Sequence, residues 1–200
     1  MPEGDSGATT PYTDAARARV VLAHEACALA ELARAAVPIG AHELNPDGTL
    51  RSPGAALADA AGIVAAAHHL LEAAVVVERL GGASWQLVGD TLGVAERTAR
   101  DRYAQAEARF RENLLAPEPL VPEPLVPEAL VPEALVPDVL APTAADREMS
   151  WWRAHTAREP LEAALDLDDW VRRHTDGDSH LGAKPVSGGL VRKDSRRATD

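Results

Sequence analysis

The stretch "GASWQLVGDTLGVAERTARDRYAQA", residues 82–106, decides the fold because apolar residues recur in it at helical spacing on both sides of a glycine. Trp85, Val88 and Leu92 lie at positions i, i+3 and i+7, which predicts the buried side of a short helix. Gly93 comes directly after them, and glycine readily takes the left-handed conformation that ends a helix in a sharp turn. The spacing therefore predicts a helix-turn-helix over about residues 83–106.

Small and apolar residues occupy the positions where the two helices must meet. Gly89 has no side chain and so permits close approach, and Val94 fills the turn. Ala99 and Tyr103 then continue the inward side of the second helix. A plain helical hairpin, in which the glycines serve packing only, is the alternative interpretation.

The outward side of the second helix carries the residue types that read DNA. Arginine can hold guanine through two hydrogen bonds, a carboxylate can accept from cytosine, and Thr or Gln can reach phosphates or base edges. Glu96 and Asp101 oppose contact with phosphates, so we expect weak binding by a single copy. The candidate DNA-binding residues are Arg97, Thr98, Arg100, Asp101, Arg102 and Gln105.

Composition predicts an all-α protein. Hydrophobic residues make up 46% of the chain, but much of that is alanine, and aromatic residues only 4%. Alanine favours closely packed helices, and no alternating strand pattern occurs. The single cysteine, Cys27, excludes an internal disulfide, and residues 1–14 do not read as a signal peptide, so we expect a cytoplasmic protein.

The formal net charge of −11 excludes indiscriminate binding to nucleic acid, which needs many phosphate contacts. The acidic excess is unevenly distributed, however. Between residues 78 and 112 six arginines balance six acidic residues, so the predicted DNA-binding segment is neutral.

The chain divides by composition into five segments. Asp14 is the predicted N-cap of a first helix over residues 14–37, and a second helix is predicted over residues 55–80. The predicted segments are a disordered N-terminus (1–13), a helical domain with the helix-turn-helix (14–115), a repeat linker (116–142), a helical C-terminal segment (143–174) and a disordered basic tail (175–200).

The predicted second helix is apolar nearly all round and must be covered on several sides. Either the rest of the domain or a second copy of the chain, as a homodimer, would cover it. Its most apolar stretch, residues 63–77, contains His68, His69 and Glu72. We read that stretch as too short and too polar to cross a membrane.

The linker repeats every five residues, as in "PEPLV" and "PEALV", with five acidic and no basic residues. Proline at every fifth position forbids a regular helix and predicts an extended, semi-rigid spacer. The spacer would hold the C-terminal segment away from DNA phosphates, and its Leu-Val pairs offer a surface for a protein partner. Trp151, Trp152 and Trp170 are predicted to form the core of the C-terminal helices, with clamping of the proline repeat as the alternative.

No pattern in the sequence predicts catalysis, a cofactor or a metal. His68 and Glu72 lie at i and i+4, but without a third ligand at suitable spacing an ion pair explains them better. Cys27 lies in an alanine-rich helix and is predicted to be a small buried residue. Phosphate-binding loops and nucleophile motifs do not occur.

Residues 82–103 resemble the helix-turn-helix of small actinobacterial DNA-binding proteins related to region 4 of sigma factors. The resemblance covers about residues 70–115, and more loosely "LDDWVRRH" (167–174) and "PVSGGL" (185–190). It implies sequence-specific DNA binding, transcriptional regulation and no catalytic activity. The alternative is a protein-interaction adaptor that keeps the hairpin without reading DNA. The matching residues are Gly82, Ser84, Trp85, Val88, Gly89, Leu92, Gly93, Val94, Ala99, Arg102 and Tyr103.

One departure from the family pattern gives a test. Ala95 stands where Ser or Thr would cap the second helix, which costs about 1 kcal/mol of stability. We therefore expect Ala95→Ser to raise the melting temperature, measured by circular dichroism. An unchanged melting temperature would mean that the helix does not begin there.

Overall fold

A computed structural model of the protein describes residues 12–37, 40–115, 144–175 and 181–192, with the backbone alone for 144–150. Within these residues the chain is all-α, as predicted, and two isolated β-bridges are its only extended pairings. The repeat linker lies outside the described residues, as do residues 1–11. The helices are α1 (Asp14–Ala35), α2 (Ala55–Leu80), α3 (Trp85–Leu92), α4 (Glu96–Leu115), α5 (Ala144–Arg158) and α6 (Pro160–His174).

The bounds of α2 are those predicted. α1 begins at Asp14, as predicted, but it ends at Ala35, two residues sooner than predicted. Thr13, not Asp14, is the N-cap of α1, because its backbone is extended and its hydroxyl accepts a hydrogen bond from the amide of Ala16 at 3.2 Å. Asp14 lies instead in the first turn, where a carboxylate favours the positive end of the helix dipole.

α3 and α4 meet at a tight turn that leaves no room for a side chain at Gly89. A Cβ atom there would lie 2.7 Å from the carbonyl oxygen of Val94. Gly93 takes the left-handed conformation (φ 69°, ψ 30°). The carbonyl of Ala95 accepts the first helical bond of α4, from the amide of Ala99 at 3.0 Å, so Ala95 is the residue before that helix.

A small apolar cluster fixes the angle between these two helices. Trp85 and Val88 of α3 pack with Ala99 of α4 and with Val75, which belongs to α2. Leu92, Val94 and Tyr103 are half-buried around them, as the sequence pattern predicted. The α3–α4 pair is therefore attached to the C-terminal end of α2.

The main core lies where the start of α1 meets the end of α2, so the two helices run antiparallel. α4 and α5 complete this core, with Ala106, Phe110 and Ala157 as their buried contributions. Either the rest of the domain or a second copy was expected to cover α2 on several sides, and the described residues cover only part of it. Its buried residues are Ala66, Ala73, Val75 and Val76.

Residues 63–77, judged from the sequence to be too short and too polar to cross a membrane, belong to a longer apolar helix. α2 has the length and composition of a membrane-crossing helix, with a mean hydropathy of 1.7 over eighteen residues. Only 11% of that window is buried against the rest of the protein. Length and composition are weak evidence for a span, because the core helices of soluble proteins pass the same test.

The C-terminal helices pack directly on α1, although the repeat linker separates them from it in the sequence. Arg17 is 3% exposed, and its guanidinium donates to the carbonyls of Ala157 (2.7 Å) and Arg158 (3.2 Å) at the end of α5. Burial lowers the pKa of this arginine. Glu25, also 3% exposed, accepts from Arg153 of α5 at 2.5 Å. Two buried charged side chains of α1 therefore fasten α5.

Part of the predicted disordered tail is ordered, because Asp168 of α6 binds it. The carboxylate accepts from the amides of Val186 (2.6 Å) and Ser187 (3.1 Å) and from the Ser187 hydroxyl. Burial alone would raise the pKa of Asp168, but these hydrogen bonds lower it overall. Thr13 and Val191 are also joined, amide to carbonyl, so both described ends of the chain meet beside α1.

The three C-terminal tryptophans do not form the core that the sequence predicted. Trp152 is 44% exposed, Trp151 stacks on His155, and Trp170 donates to the Glu31 carboxylate at 2.6 Å. The contacts that bury α5 and α6 come from smaller residues, such as Ala157, Ala164 and Leu167.

The Gly89 contact leads to a paired substitution. Gly89→Ala forces a Cβ into the Val94 carbonyl, and we expect a loss of about 1–3 kcal/mol in unfolding free energy. Gly62→Ala, in an open position of α2, should instead gain about 0.5–1 kcal/mol. Urea denaturation measures both. Equal stability of Gly89→Ala and the natural protein would contradict the close approach.

Candidate nucleic-acid interface

The residues that α4 buries determine which of its residues face solvent. Ala99 is 0% exposed against α3, and Ala106 and Phe110 continue the buried side into the main core. At 100° per residue, Arg97 and Asp101 lie nearly opposite Ala99. The N-terminal half of α4 therefore presents Arg97 and Asp101 at the centre of its solvent side.

The six predicted contact residues do not share one face. Arg100 lies on one flank of the solvent side, and Thr98 and Gln105 lie on the other. Arg102 is about 160° from Arg100 around the helix, so a single groove surface cannot contact both equally. Arg97, Arg100 and Asp101 are brought together, Thr98 is half-buried beside them, and Arg102 is exposed at the margin.

Each central arginine is paired with an acid one turn away. The Arg97 side chain is 93% exposed and lies 3.8 Å from the Asp101 carboxylate. Arg100 lies 3.5 Å from Glu96, again with both side chains more than half exposed. Such exposed pairs are worth well under 1 kcal/mol, so a phosphate or a guanine can replace the carboxylate at little cost. Arg102 forms no ion pair with any described residue.

Other arginines near this segment form contacts with other parts of the protein. Arg79 lies over the ring of Trp85 at 4.5 Å, binds Glu107 at 3.2 Å and donates to the carbonyl of Ala83. Arg111 binds Glu107 at 2.7 Å, and Arg109 lies 3.7 Å from Glu72. The six arginines counted between residues 78 and 112 therefore do not form one surface. Only those in the first two turns of α4 face outward near α3.

α3 contributes a neutral outer surface beside these arginines. Ser84 caps the helix by accepting from the amide of Leu87 at 3.1 Å, and Leu87 itself is 53% exposed. Gln86 and Thr91 are exposed as well, together with one acid, Asp90. This surface can contribute hydrogen bonds to a phosphate backbone but no positive charge.

A cavity of about 110 Å³ lies behind α4, between α1, α2 and α5. Its polar wall includes the buried Glu25–Arg153 pair and Glu72. The sequence paired Glu72 with His68, which was wrong: the histidine beside Glu72 is His69, at 4.0 Å, while His68 is exposed. Among the described residues no group of three or more potential ligands could hold a metal ion.

Two histidines in and near this region have lowered pKa values. Burial, assisted by the positive charge of Arg153, lowers the pKa of His69. Burial is also the main reason that the pKa of His24 is lowered. The Nδ1 atom of His24 is buried and has no hydrogen-bond partner among the described residues. Cys27 is half-buried as a small packing residue on α1, and burial raises the pKa of its thiol.

Sequence reasoning missed Arg17, Glu25, Arg153 and Asp168, which hold the C-terminal helices and tail in place. Their partners lie far along the chain, with Glu25 and Arg153 separated by 128 residues. The available signal was a charged residue in a mainly apolar helix, such as Glu25 in α1, because a charge on a buried face requires a partner.

No protein-family model matches the chain, and no curated protein or solved structure shows significant similarity to it.

The environment of His24 predicts how stability depends on pH. A lowered pKa in the folded state means that the unfolded chain binds a proton that the folded chain does not, so stability falls as pH drops below about 6.5. His24→Leu removes this histidine and its unpaired nitrogen. We expect a smaller loss of unfolding free energy between about pH 7.5 and pH 5.5 in the variant. The same pH dependence in both proteins would contradict this assignment.

Proposed function

We propose that the protein binds double-stranded DNA in a sequence-specific way and regulates transcription, with α4 as the reading helix of a helix-turn-helix. The observation that carries the proposal is the outward position of Arg97, which is 93% exposed on the side of α4 opposite buried Ala99. The Gly89–Val94 contact and the left-handed Gly93 hold α4 at that angle. The resemblance to the sigma-related helix-turn-helix supports the same assignment.

The reading helix enters the major groove, which is wide enough to admit an α-helix. Arg97 is at the centre of the solvent side and is the residue expected to hold guanine through two hydrogen bonds. Arg100 and Thr98 flank it and are expected to contact phosphates, with Gln105 one turn further along. Arg102 lies at the margin and is assigned a phosphate contact.

The acids on α4 tune this binding and do not abolish it. Asp101 pairs with Arg97 and Glu96 with Arg100 in the free protein. On a wrong sequence these carboxylates face phosphates and repel them. On a correct sequence Asp101 can accept from a cytosine amino group while Arg97 binds a neighbouring guanine. An acidic protein with a neutral reading segment therefore gains selectivity at the expense of affinity.

A protein-interaction adaptor is the second candidate, and the exposed Leu87 on α3 favours it. An adaptor would use the outer side of the α3–α4 pair against an apolar protein partner, with the arginines at its margin. The two functions differ in what they predict for DNA. If α4 reads DNA, the affinity for a duplex falls steeply as salt is added, because binding releases counterions from the phosphates, whereas an adaptor would bind no duplex specifically.

The test begins with selection of bound sites from random duplexes by the full chain. Binding to a selected duplex is then measured by fluorescence anisotropy at several salt concentrations. We expect Arg97→Ala with Arg100→Ala to lower the affinity by at least about tenfold and to reduce the salt slope by about 2. Glu96→Gln with Asp101→Asn should raise the affinity for all duplexes, because the arginines lose their competitors.

The matched control is Arg172→Ala with Arg173→Ala, which removes two exposed arginines from α6. This variant has the same net charge as the α4 variant and should bind the selected duplex as the natural protein does. Equal effects of the two double variants would assign the binding to net charge alone. Failure to select any duplex would favour the adaptor.

A further inference from the structure

The ends of α1 and α2 that are remote from α3 and α4 form an arm with an apolar surface that the rest of the described residues leave uncovered. We define the arm as residues 26–37 of α1 and 55–68 of α2, which lie together because the helices are antiparallel. Its exposed residues include four aliphatic side chains, Leu32 (45% exposed), Val37 (77%), Leu57 (75%) and Val64 (55%). The last two lie seven residues apart and so share one side of α2.

Charge is nearly absent from the α2 side of the arm. Asp59 is the one charged residue between Ala55 and Leu71. On the α1 side, Glu31 and Arg34 are engaged with Trp170 and His174 of α6, so α6 covers that edge. The uncovered surface is therefore the alanine-rich side of α2 with the adjoining end of α1.

We propose that this surface binds the same surface of a second copy of the chain. Two antiparallel helix pairs placed face to face form a four-helix bundle, and the abundant alanine lets their axes approach closely. A standard interface uses about 20–30 residues per partner. Apart from the two residues that contact α6, the arm has eighteen exposed residues, at positions 26, 32, 33, 35–37, 55–62, 64, 65, 67 and 68, which is near the lower end of that range.

The composition of the arm disfavours a lipid bilayer as the occupant, although α2 is long and apolar enough to enter one. Helices that lie on membranes carry Lys or Arg on their polar side and aromatic residues at the interface. Residues 26–67 contain no aromatic side chain, and residues 38–67 hold three acids against one arginine. An anionic bilayer surface would repel this end of the protein.

The proline repeat of the same chain is also a poor occupant. An extended proline-rich segment docks in grooves lined with aromatic rings, which the arm lacks. Its five acids would meet an arm that is itself acidic at the tip. An uncharged helical face is a better match for this surface than the extended repeat. Its backbone hydrogen bonds are already made within the helix, so burying it leaves no backbone group unpaired.

The mass of the full chain in solution, measured by sedimentation equilibrium, tests this interface. We expect the natural protein to dimerise with a Kd of about 1 μM or tighter. The variants are Leu57→Glu and Val64→Glu, made separately. Because both copies carry the substitution, each variant buries two carboxylates in the interface and should weaken dimerisation by at least about 100-fold. Because both side chains are exposed in the single chain, circular dichroism should show the same helix content and melting behaviour at low concentration.

The matched control is Leu165→Glu, which introduces the same charge at an exposed leucine of α6 and should leave the dimer intact. A monomeric natural protein at about 100 μM would overturn the proposal. A dimer that survives both arm substitutions would place the interface elsewhere and overturn it too. If the natural protein sediments with anionic phosphatidylglycerol vesicles and Leu57→Glu does not, the arm binds a membrane instead, and the proposal is overturned.

This interface stands independently of DNA binding, because the arm and the outer side of α4 are separate surfaces. Loss of the dimer in Leu57→Glu and loss of DNA affinity in the Arg97 and Arg100 variant are therefore separate results. A dimer that binds no DNA would retain the arm interface and remove the proposed function.

Discussion

The absence of a side chain at Gly89 is the constraint on which the rest of the candidate site depends. The Val94 carbonyl lies 2.7 Å from the position that a Cβ would take, so the turn between α3 and α4 closes only over glycine. Because this contact and the Trp85–Val88–Ala99 cluster set the angle of α4, they also decide which residues face water. Arg97 is exposed as a consequence of packing on the opposite side of its helix. The chemistry of the outer surface is therefore determined by small residues on the buried side of the helix.

α1 has the corresponding role for the C-terminal half. Its buried Arg17 donates to the carbonyls of Ala157 and Arg158 at the end of α5, and its buried Glu25 neutralises Arg153. A buried charge without its partner is expensive, so these contacts commit α5 to one position on α1. Asp168 of α6 then fixes the short segment around Ser187. α5 and α6 thus form part of the same packed body as α1, and the repeat linker joins two parts of it.

The sequence predicted local structure well and long-range contacts poorly. Both ends of α2 were predictable because glycines flank an unbroken helical pattern, and the turn at Gly93 followed from the spacing of Trp85, Val88 and Leu92. Threonine and aspartate are both good N-cap residues, so the sequence did not show which of Thr13 and Asp14 has the extended backbone of the cap. His68 and His69 both lie within one turn of Glu72, so spacing alone did not show that His69 is the one that contacts it. For the arm, apolar composition showed that α2 needs a cover but did not show that the described part of the chain leaves much of it exposed.

The proposed function and the arm interface together describe a protein with a reading surface at one end of α2 and a pairing surface at the other. The central claim is that the outer side of α4 is the surface that meets DNA. The most direct measurement is amide chemical-shift mapping by NMR of the full chain on addition of a selected duplex. The account predicts shifts concentrated between Ser84 and Gln105, with the largest around Arg97. Shifts concentrated on the arm or on α6, with α4 unchanged, would contradict it.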